Sequence, residues 1–266
     1  PCERWEARSS GMKLATLSSS DTRLVLSVSG VETSFLNTVR RMVMEEVPTL
    51  AVEDVEFHDN NSALYDEIIA HRLGLLPIKT DLSSYSLPKT ESDIVERSAL
   101  CTVRMELKSD KAGIVYAKEA TSDDPSSTFV HPDMPVVKLI DGQKVHVNMY
   151  AVMGQGKEHM KWSPGLVWYA QQADVKVSND KKLLETVRHK LPEQIVSGDK
   201  ILADKIVELD LIDAVEGVCP ELISVTYTDG YTLSVESWGQ LSCEEMLATA
   251  AEMLAGKAKA LKEVLQ

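Results

Sequence analysis

The C-terminal segment constrains this chain most. Ser242 can cap a helix, and Glu245 three residues later completes the reciprocal bonds of a capping box. Leu247, Ala251, Leu254, Ala258, Leu261 and Leu265 then follow in alternating steps of four and three. That is a heptad seam, and its alanines let a facing helix approach closely. At 1.5 Å per residue such a helix is about 36 Å long. An apolar seam of that length has to be covered, and spacing alone leaves two covers open: the rest of this chain, or a second chain.

The beginning of the chain offers a matching piece. Leu24, Leu26 and Val28 alternate with polar neighbours over 22–29, the pattern of a half-buried strand. A helix is expected from Thr33 or Ser34, either of which can cap it. Phe35, Leu36, Val39, Met42, Val43 and Val47 form its apolar face, and Pro48 stops it. Near the other end, 222–237 reads as a hairpin turning at Asp229-Gly230, with Ile223, Val225 and Tyr227 going out and Tyr231, Leu233 and Val235 returning.

Between these ends the pattern is mostly of strands, at 52–57, 100–107, 114–117, 136–140 and 144–152. Cys101, Val103, Met105 and Leu107 alternate strictly, as one buried face requires. Residues 109–113 suit a hairpin turn, and Asp141-Gly142-Gln143 a second short turn. The stretches 83–98 and 121–135 are polar, contain prolines and read as loops, while 179–191 and 201–215 are helical in pattern. Neither the strand and helix at the start nor the hairpin and helix at the end closes a core by itself. The fold class is therefore α+β, with the two ends forming one discontinuous domain and the strand-rich middle inserted between them.

Composition narrows the function. With 44% hydrophobic residues the chain can bury a real core. A net charge of -13 repels a phosphate backbone, so little direct nucleic-acid contact is expected. No run of about 18 apolar residues is present, so no membrane span is expected. Cys2, Cys101, Cys219 and Cys243 are scattered without a Cys-x-x-Cys pair, which argues against a disulfide framework and for a reducing, cytoplasmic setting. Residues 1–11 lack apolar periodicity and read as a tag or other non-native extension, with native translation from Met12.

Three segments carry a resemblance. Ser34-Phe35-Leu36-Asn37-Thr38-Val39-Arg40-Arg41, running on to Glu46-Val47-Pro48-Thr49, resembles the first helix of the alpha-like subunits of multisubunit RNA polymerases. Glu67-Ile68-Ile69-Ala70-His71-Arg72-Leu73-Gly74-Leu75-Leu76-Pro77-Ile78 is similar to the segment that follows in archaeal and eukaryotic members. Gly154-Gln155-Gly156-Lys157-Glu158-His159-Met160-Lys161-Trp162-Ser163-Pro164 resembles the family's Gly-x-Gly-x-x-His-x-Lys-Trp-x-Pro stretch. Order and spacing agree from Met12 to the C-terminus.

The resemblance is to the archaeal members, counterparts of the bacterial alpha subunit, and it carries expectations. A dimerisation domain, here 12–50 with 222–266, pairs with a smaller alpha-like subunit. A mostly-β domain, here 51–174, is inserted after the first helix. The pair recruits the two large catalytic subunits and a small zinc-binding subunit. Phe35, Leu36, Val39 and the seam from Leu247 to Leu265 become partner-interface residues. Arg40 and Arg41 become contacts to a large subunit, the alternative being a solvated helix face. Many archaeal members hold iron–sulfur clusters in a small ferredoxin-like domain. Residues 175–221 occupy its place, yet only Cys219 stands there, whereas a cluster needs about four thiolates. No cofactor, no metal and no catalytic residue in this chain is the expectation. The zinc-binding cysteine loop of the corresponding eukaryotic polymerase II subunit is also missing, which points to an archaeal source.

Other residues invite rival readings. His71 and His159 with nearby acids would serve a stand-alone enzyme, although no His-x-His or His-x-x-x-His pair supports a metal site. A redox-responsive protein still holding a cluster is the second rival. Trp162, Trp168 and Tyr169 beside Lys157 and Lys161 suit a single-strand groove, a packed loop or a protein interface, and the acidic chain favours a protein interface. Gly154 and Gly156 lack the third glycine of a nucleotide fingerprint, so they are expected to permit a tight backbone course.

Overall fold

The structure, a computed structural model, describes residues 11–178, 180–209 and 211–265. The expected extension at 1–11 therefore lies outside the described residues except for Gly11. The chain opens with strands β1 (Lys13–Ser19) and β2 (Arg23–Ser29) and helix α1 (Thr33–Arg41), which runs on into a single π-helical turn, Met42–Glu46. Then come β3 (Pro48–Asn60), α2 (Asp66–Gly74), α3 (Glu91–Val95), β4 (Thr102–Ser109), β5 (Gly113–Tyr116), β6 (Ala120–Ser122), β7 (Pro135–Leu139), β8 (Val145–Gln155) and β9 (Gly165–Val177). The last third holds α4 (Lys181–Val187), β10 (Val196–Ser197), β11 (Lys200–Ile201), α5 (Ala203–Glu208), α6 (Ile212–Val215), β12 (Ile223–Ser237) and α7 (Cys243–Val264).

Two compact units result. The larger comprises Thr16–Val25, Glu32–Trp168 and the described part of Ser234–Gln266. Its main sheet has the order β3-β8-β4-β6 with antiparallel pairing throughout. The register sets Val103 against Ala151, Met105 against Met149 and Leu107 against Val147. These six residues are at most 4% exposed, so the strict alternation in β4 lines one dry face. Helix α2 is short, and Ile69 and Leu73, both fully buried, anchor it to this core. Burying each contributes about 1.5–3 kcal/mol, which compensates for a nine-residue helix that would be marginal by itself.

The smaller unit comprises the described part of Pro1–Ala15, Leu26–Val31 and Tyr169–Leu233. Leu184, Leu191, Ile195, Ile201, Ile206 and Val215 form its core with Leu222 and Ile223. Asp180 caps α4 by accepting from the Lys182 N–H at 2.9 Å.

Several expectations need correction. Residues 222–237 do not form a hairpin: β12 runs unbroken through Asp229-Gly230 and lies between β2 and β9 in a sheet of order β1-β2-β12-β9. The reason lies in parity. Ile223, Val225, Tyr227, Tyr231, Leu233 and Val235 are all odd-numbered, so a straight strand keeps them on one face, whereas a two-residue hairpin loop would set the two groups on opposite faces. Gly230 instead makes room for a neighbour, since a Cβ there would lie 2.4 Å from Gln172 Oε1.

Residues 109–113 do not close a hairpin either, because β4 pairs with β8 and β6 while β5 pairs with β7. Asp141-Gly142-Gln143 is a turn, with Gly142 at φ +82° and the Gln143 N–H donating to Ile140 O at 3.0 Å. The helical stretch 201–215 is broken into β11, α5 and α6. The loop 83–98 contains α3, capped by Thr90 and Asp93 in a capping box. Helix α1 is preceded by Glu32 at the cap position with no side-chain bond, so neither Thr33 nor Ser34 is the cap. Strand β1 and helix α2 had no expectation at all.

Candidate partner interface

The terminal helix forms as its capping box requires. Ser242 Oγ accepts from the Glu245 N–H at 3.2 Å, and Glu245 Oε2 accepts from the Ser242 N–H at 2.9 Å. Cys243, Met246 and Ala250 are the residues α7 buries. The seam expected from spacing lies beside that buried row. Leu247 and Leu254 are half-buried, Ala251 and Ala258 are exposed, and Leu261 and Leu265 stand 62% and 78% exposed. The larger unit therefore covers one row of α7 and leaves the leucine–alanine row largely open.

Helix α1 supplies the facing wall. Its Leu36 is buried, Val39 half-buried and Phe35 39% exposed. Phe35 and Val39 line a groove of about 290 Å³ with Ala250, Ala251, Leu254 and Ala258 of α7. Of the residues singled out in the sequence, Phe35, Val39, Ala251, Leu254 and Ala258 thus meet at one place. Leu36 turns into the core, and Leu261 and Leu265 extend past the groove.

The two arginines have local partners. Arg41 makes a forked pair with Glu45, at 3.0 Å and 2.8 Å. The hydrogen bond with Glu45 raises the Arg41 guanidinium above its ordinary value, and the same bond lowers the Glu45 carboxyl. Arg40 donates from Nε and Nη2 to Asn37 Oδ1 at 3.2 Å and 3.1 Å. Its bonds in the structure go to a neutral amide and the Met44 sulfur, which leaves its charge uncompensated by them.

Glu46, quoted in the first motif but given no role there, ends the π turn. Its Oε1 accepts from Lys257 Nζ at 2.7 Å and its Oε2 lies 3.4 Å from Lys157 Nζ. The Lys257 bond holds this carboxyl below the usual carboxylate range. No spacing rule links positions 46 and 257, so this contact could not be read from sequence.

The Gly-x-Gly segment is a packing device. A Cβ on Gly154 would sit 2.4 Å from the Trp162 ring, and one on Gly156 would sit 2.0 Å from Met44 O. Trp162 is buried and donates from Nε1 to Val152 O at 2.9 Å. Lys161 bonds Val52 O at 2.9 Å and pairs with Glu53, and Lys157 pairs with Glu46. The interface expected from these aromatics is thus, for Trp162, a packed loop. Both of its lysines are matched with carboxylates. Trp168 carries Arg23 at 5.5 Å from its ring. Tyr169 stands edge-on to Tyr231 at 6.3 Å.

His159 accepts at Nδ1 from the Lys161 N–H at 3.1 Å, as a structural histidine at a loop end does. His71 is exposed in the last turn of α2, and Arg72 donates to Pro135 O at 2.5 Å. Among the described residues no group of three or more His, Cys, Asp or Glu side chains could hold a metal ion. Cys219 is half-buried against the core of the smaller unit, and one thiolate does not fit an iron–sulfur cluster. Among the described residues no helix is long and apolar enough to cross a membrane.

An antiparallel sheet built from the middle of the chain thus accompanies a first helix and a terminal helix that share an uncovered groove. The matching family model is described as the RNA polymerase Rpb3/RpoA insert domain and covers residues 55–165. Among curated relatives, the DNA-directed RNA polymerase subunit Rpo3 of Pyrococcus furiosus is 34% identical over 264 residues, covering 96% of this chain and 98% of the relative. Rpo3 of Thermococcus kodakarensis is 36% identical over 86% of this chain and 88% of its own length. Rpo3 of Methanosarcina acetivorans is 32% identical over 96% and 98%. The chain belongs to the family of archaeal alpha-like RNA polymerase subunits named Rpo3.

Proposed function

We propose that this chain is a non-catalytic assembly platform of an archaeal DNA-directed RNA polymerase, pairing with a smaller alpha-like subunit through the groove between α1 and α7. The observation that carries this reading is the open seam. A helix capped as firmly as α7 presents Ala251, Leu254, Ala258 and Leu261 outward at heptad spacing, and an apolar row of that length favours a facing helix. The relatives' name, a polymerase subunit, supports it.

In this reading the dimerisation part is 12–50 with 222–266, the insert is 51–174, and 175–221 is a third small domain held by its apolar core without a cluster. Arg40, whose charge its local bonds leave uncompensated, contacts a large catalytic subunit, with Arg41 released from Glu45 to join it. A small zinc-binding subunit completes the platform, and the setting is the cytoplasm. The redox-responsive and stand-alone enzyme readings gain no support from the single half-buried Cys219 or from His71 and His159.

Co-expression with the small alpha-like subunit, followed by size-exclusion chromatography, tests the pairing. A one-to-one complex is expected, and Leu254→Asp should abolish it, because an unpaired carboxylate in a desolvated seam costs several kcal/mol. An unchanged elution profile for that variant would overturn the reading. Arg40→Glu with Arg41→Glu should keep the small complex and lose large-subunit recruitment, and recruitment that survives would refute the arginine role.

A further inference from the structure

Three segments of the larger unit meet at the π turn Met42–Glu46. From α7, Lys257 Nζ donates to Glu46 Oε1 at 2.7 Å. From the loop after β8, Lys157 Nζ lies 3.4 Å from Glu46 Oε2, and the Lys157 N–H donates to Glu45 O at 3.0 Å. From β8 itself, Gln155 Nε2 donates to Glu46 O at 2.6 Å. Gly156 permits this seating, because a Cβ there would collide with Met44 O. The Glu46 side chain is only 17% exposed, while Lys157 and Lys257 are 46% and 52% exposed. The carboxylate is thus fixed inside, and the two ammonium groups reach in to it from solvent.

The position of Lys257 along α7 matters. The buried residues of this helix, Cys243, Met246 and Ala250, all lie in its first half. Beyond Ala250 the described side chains are half-buried or exposed, so burial does little to hold the second half in place. Lys257 lies in that second half, between Leu254 and Ala258, which line the groove.

We propose that Glu46 is a positioning residue for partner pairing: by holding Lys257 it fixes the second half of α7 against the π turn and presets the groove before a partner arrives. This inference rests on the groove reading given above. Fixing a binding element in advance lowers the ordering cost of association. The pair is partly solvated, so its effect is modest and screened by salt.

The test uses the full chain as Glu46→Gln, Lys257→Met and the double variant. Hydrogen exchange of the free chain should show residues 251–261 exchanging several-fold faster in each single variant, with 243–250 unchanged. Affinity for the small alpha-like subunit should fall about three- to fivefold at low salt. That difference should vanish near 0.5 M salt, and the double variant should be no worse than Glu46→Gln. Unchanged exchange in both single variants, or equal partner affinity at low salt, overturns the positioning role while leaving the groove intact. If Glu46→Gln unfolds more widely, the exposed Lys257→Met carries the test with the same outcomes. A wild-type chain that does not bind the partner sinks the groove itself, and the positioning role with it.

Discussion

Replacing Gly154 by alanine should be among the most damaging one-carbon changes possible in this chain. Gly154 faces Thr49 across the β3–β8 ladder, so its backbone is fixed by the sheet. An added Cβ would stand 2.4, 2.5 and 2.8 Å from Cε2, Cδ2 and Nε1 of Trp162. Ordinary carbon contacts lie at about 3.5–4.0 Å, so the ring must retreat by about 1 Å. The ring is buried, donates to Val152 O at 2.9 Å and carries the Lys161 ammonium 4.4 Å from its centroid. Overpacking costs about 1–3 kcal/mol, and loss of the indole hydrogen bond adds about 1 kcal/mol. Gly154→Ala should therefore destabilise the larger unit by about 2–4 kcal/mol, read as a lower urea midpoint by tryptophan emission. Gly74→Ala is the control, because its Cβ would meet Val52 O at an ordinary 3.5 Å. It should be neutral or slightly stabilising, since an unfolded chain with alanine has less freedom to lose on folding. A Gly154→Ala variant within about 0.5 kcal/mol of wild type would refute the close-approach argument.

Two other changes probe the insert. Arg97 holds φ +53°, one residue past the C-cap of α3, where its N–H donates to Ile94 O and the Ser98 N–H donates to Asp93 O. Its guanidinium stacks 3.4 Å from the Tyr150 ring and pairs with Glu56. Arg97→Ala and Arg97→Gly both lose those contacts, but only glycine escapes the left-handed backbone cost, so the alanine variant should be less stable by about 1 kcal/mol in urea; equal midpoints would contradict this. Asp124 accepts from Tyr85 Oη at 2.6 Å and from Ser126 and Ser127, which holds its carboxyl far below the ordinary value of 3.8. A depressed folded value means stability that is fully present above about pH 4 and lost as pH falls further. The advantage of wild type over Asp124→Asn, measured by urea midpoints, should therefore be larger at pH 7 than at pH 3, and a constant gap would argue against it.

The parts of the fold that were legible are those where a local rule and the tertiary demand coincide. The capping box of Ser242 and Glu245, the heptad leucines and the alternation of Val103, Met105 and Leu107 were of this kind. Asp229-Gly230 misled because a turn dipeptide is a local signal, which the pairing of β12 between β2 and β9 overrides. The constant parity of Ile223 through Val235 held the correct answer. Helix α2 is not legible because its apolar residues Ile68 and Ile69 are adjacent and Ile68 is exposed, which blurs the period, and its stability comes from the sheet beneath Ile69 and Leu73. Of the candidate site, both walls were named from spacing, Phe35 and Val39 on one side and Ala251, Leu254 and Ala258 on the other. Their meeting, and the Glu46–Lys257 bond beside them, depend on contacts more than 200 positions apart in the chain. No periodicity reaches that far.

The assembly role stands on one surface, and hydrogen exchange can watch it directly. Adding the small alpha-like subunit should slow exchange along Ala251–Leu261 of α7 and at Phe35–Val39 of α1, while Ile69 and Leu73 stay as protected as before. Exchange along α7 that is unaltered by saturating partner would contradict that role, wherever else protection changed.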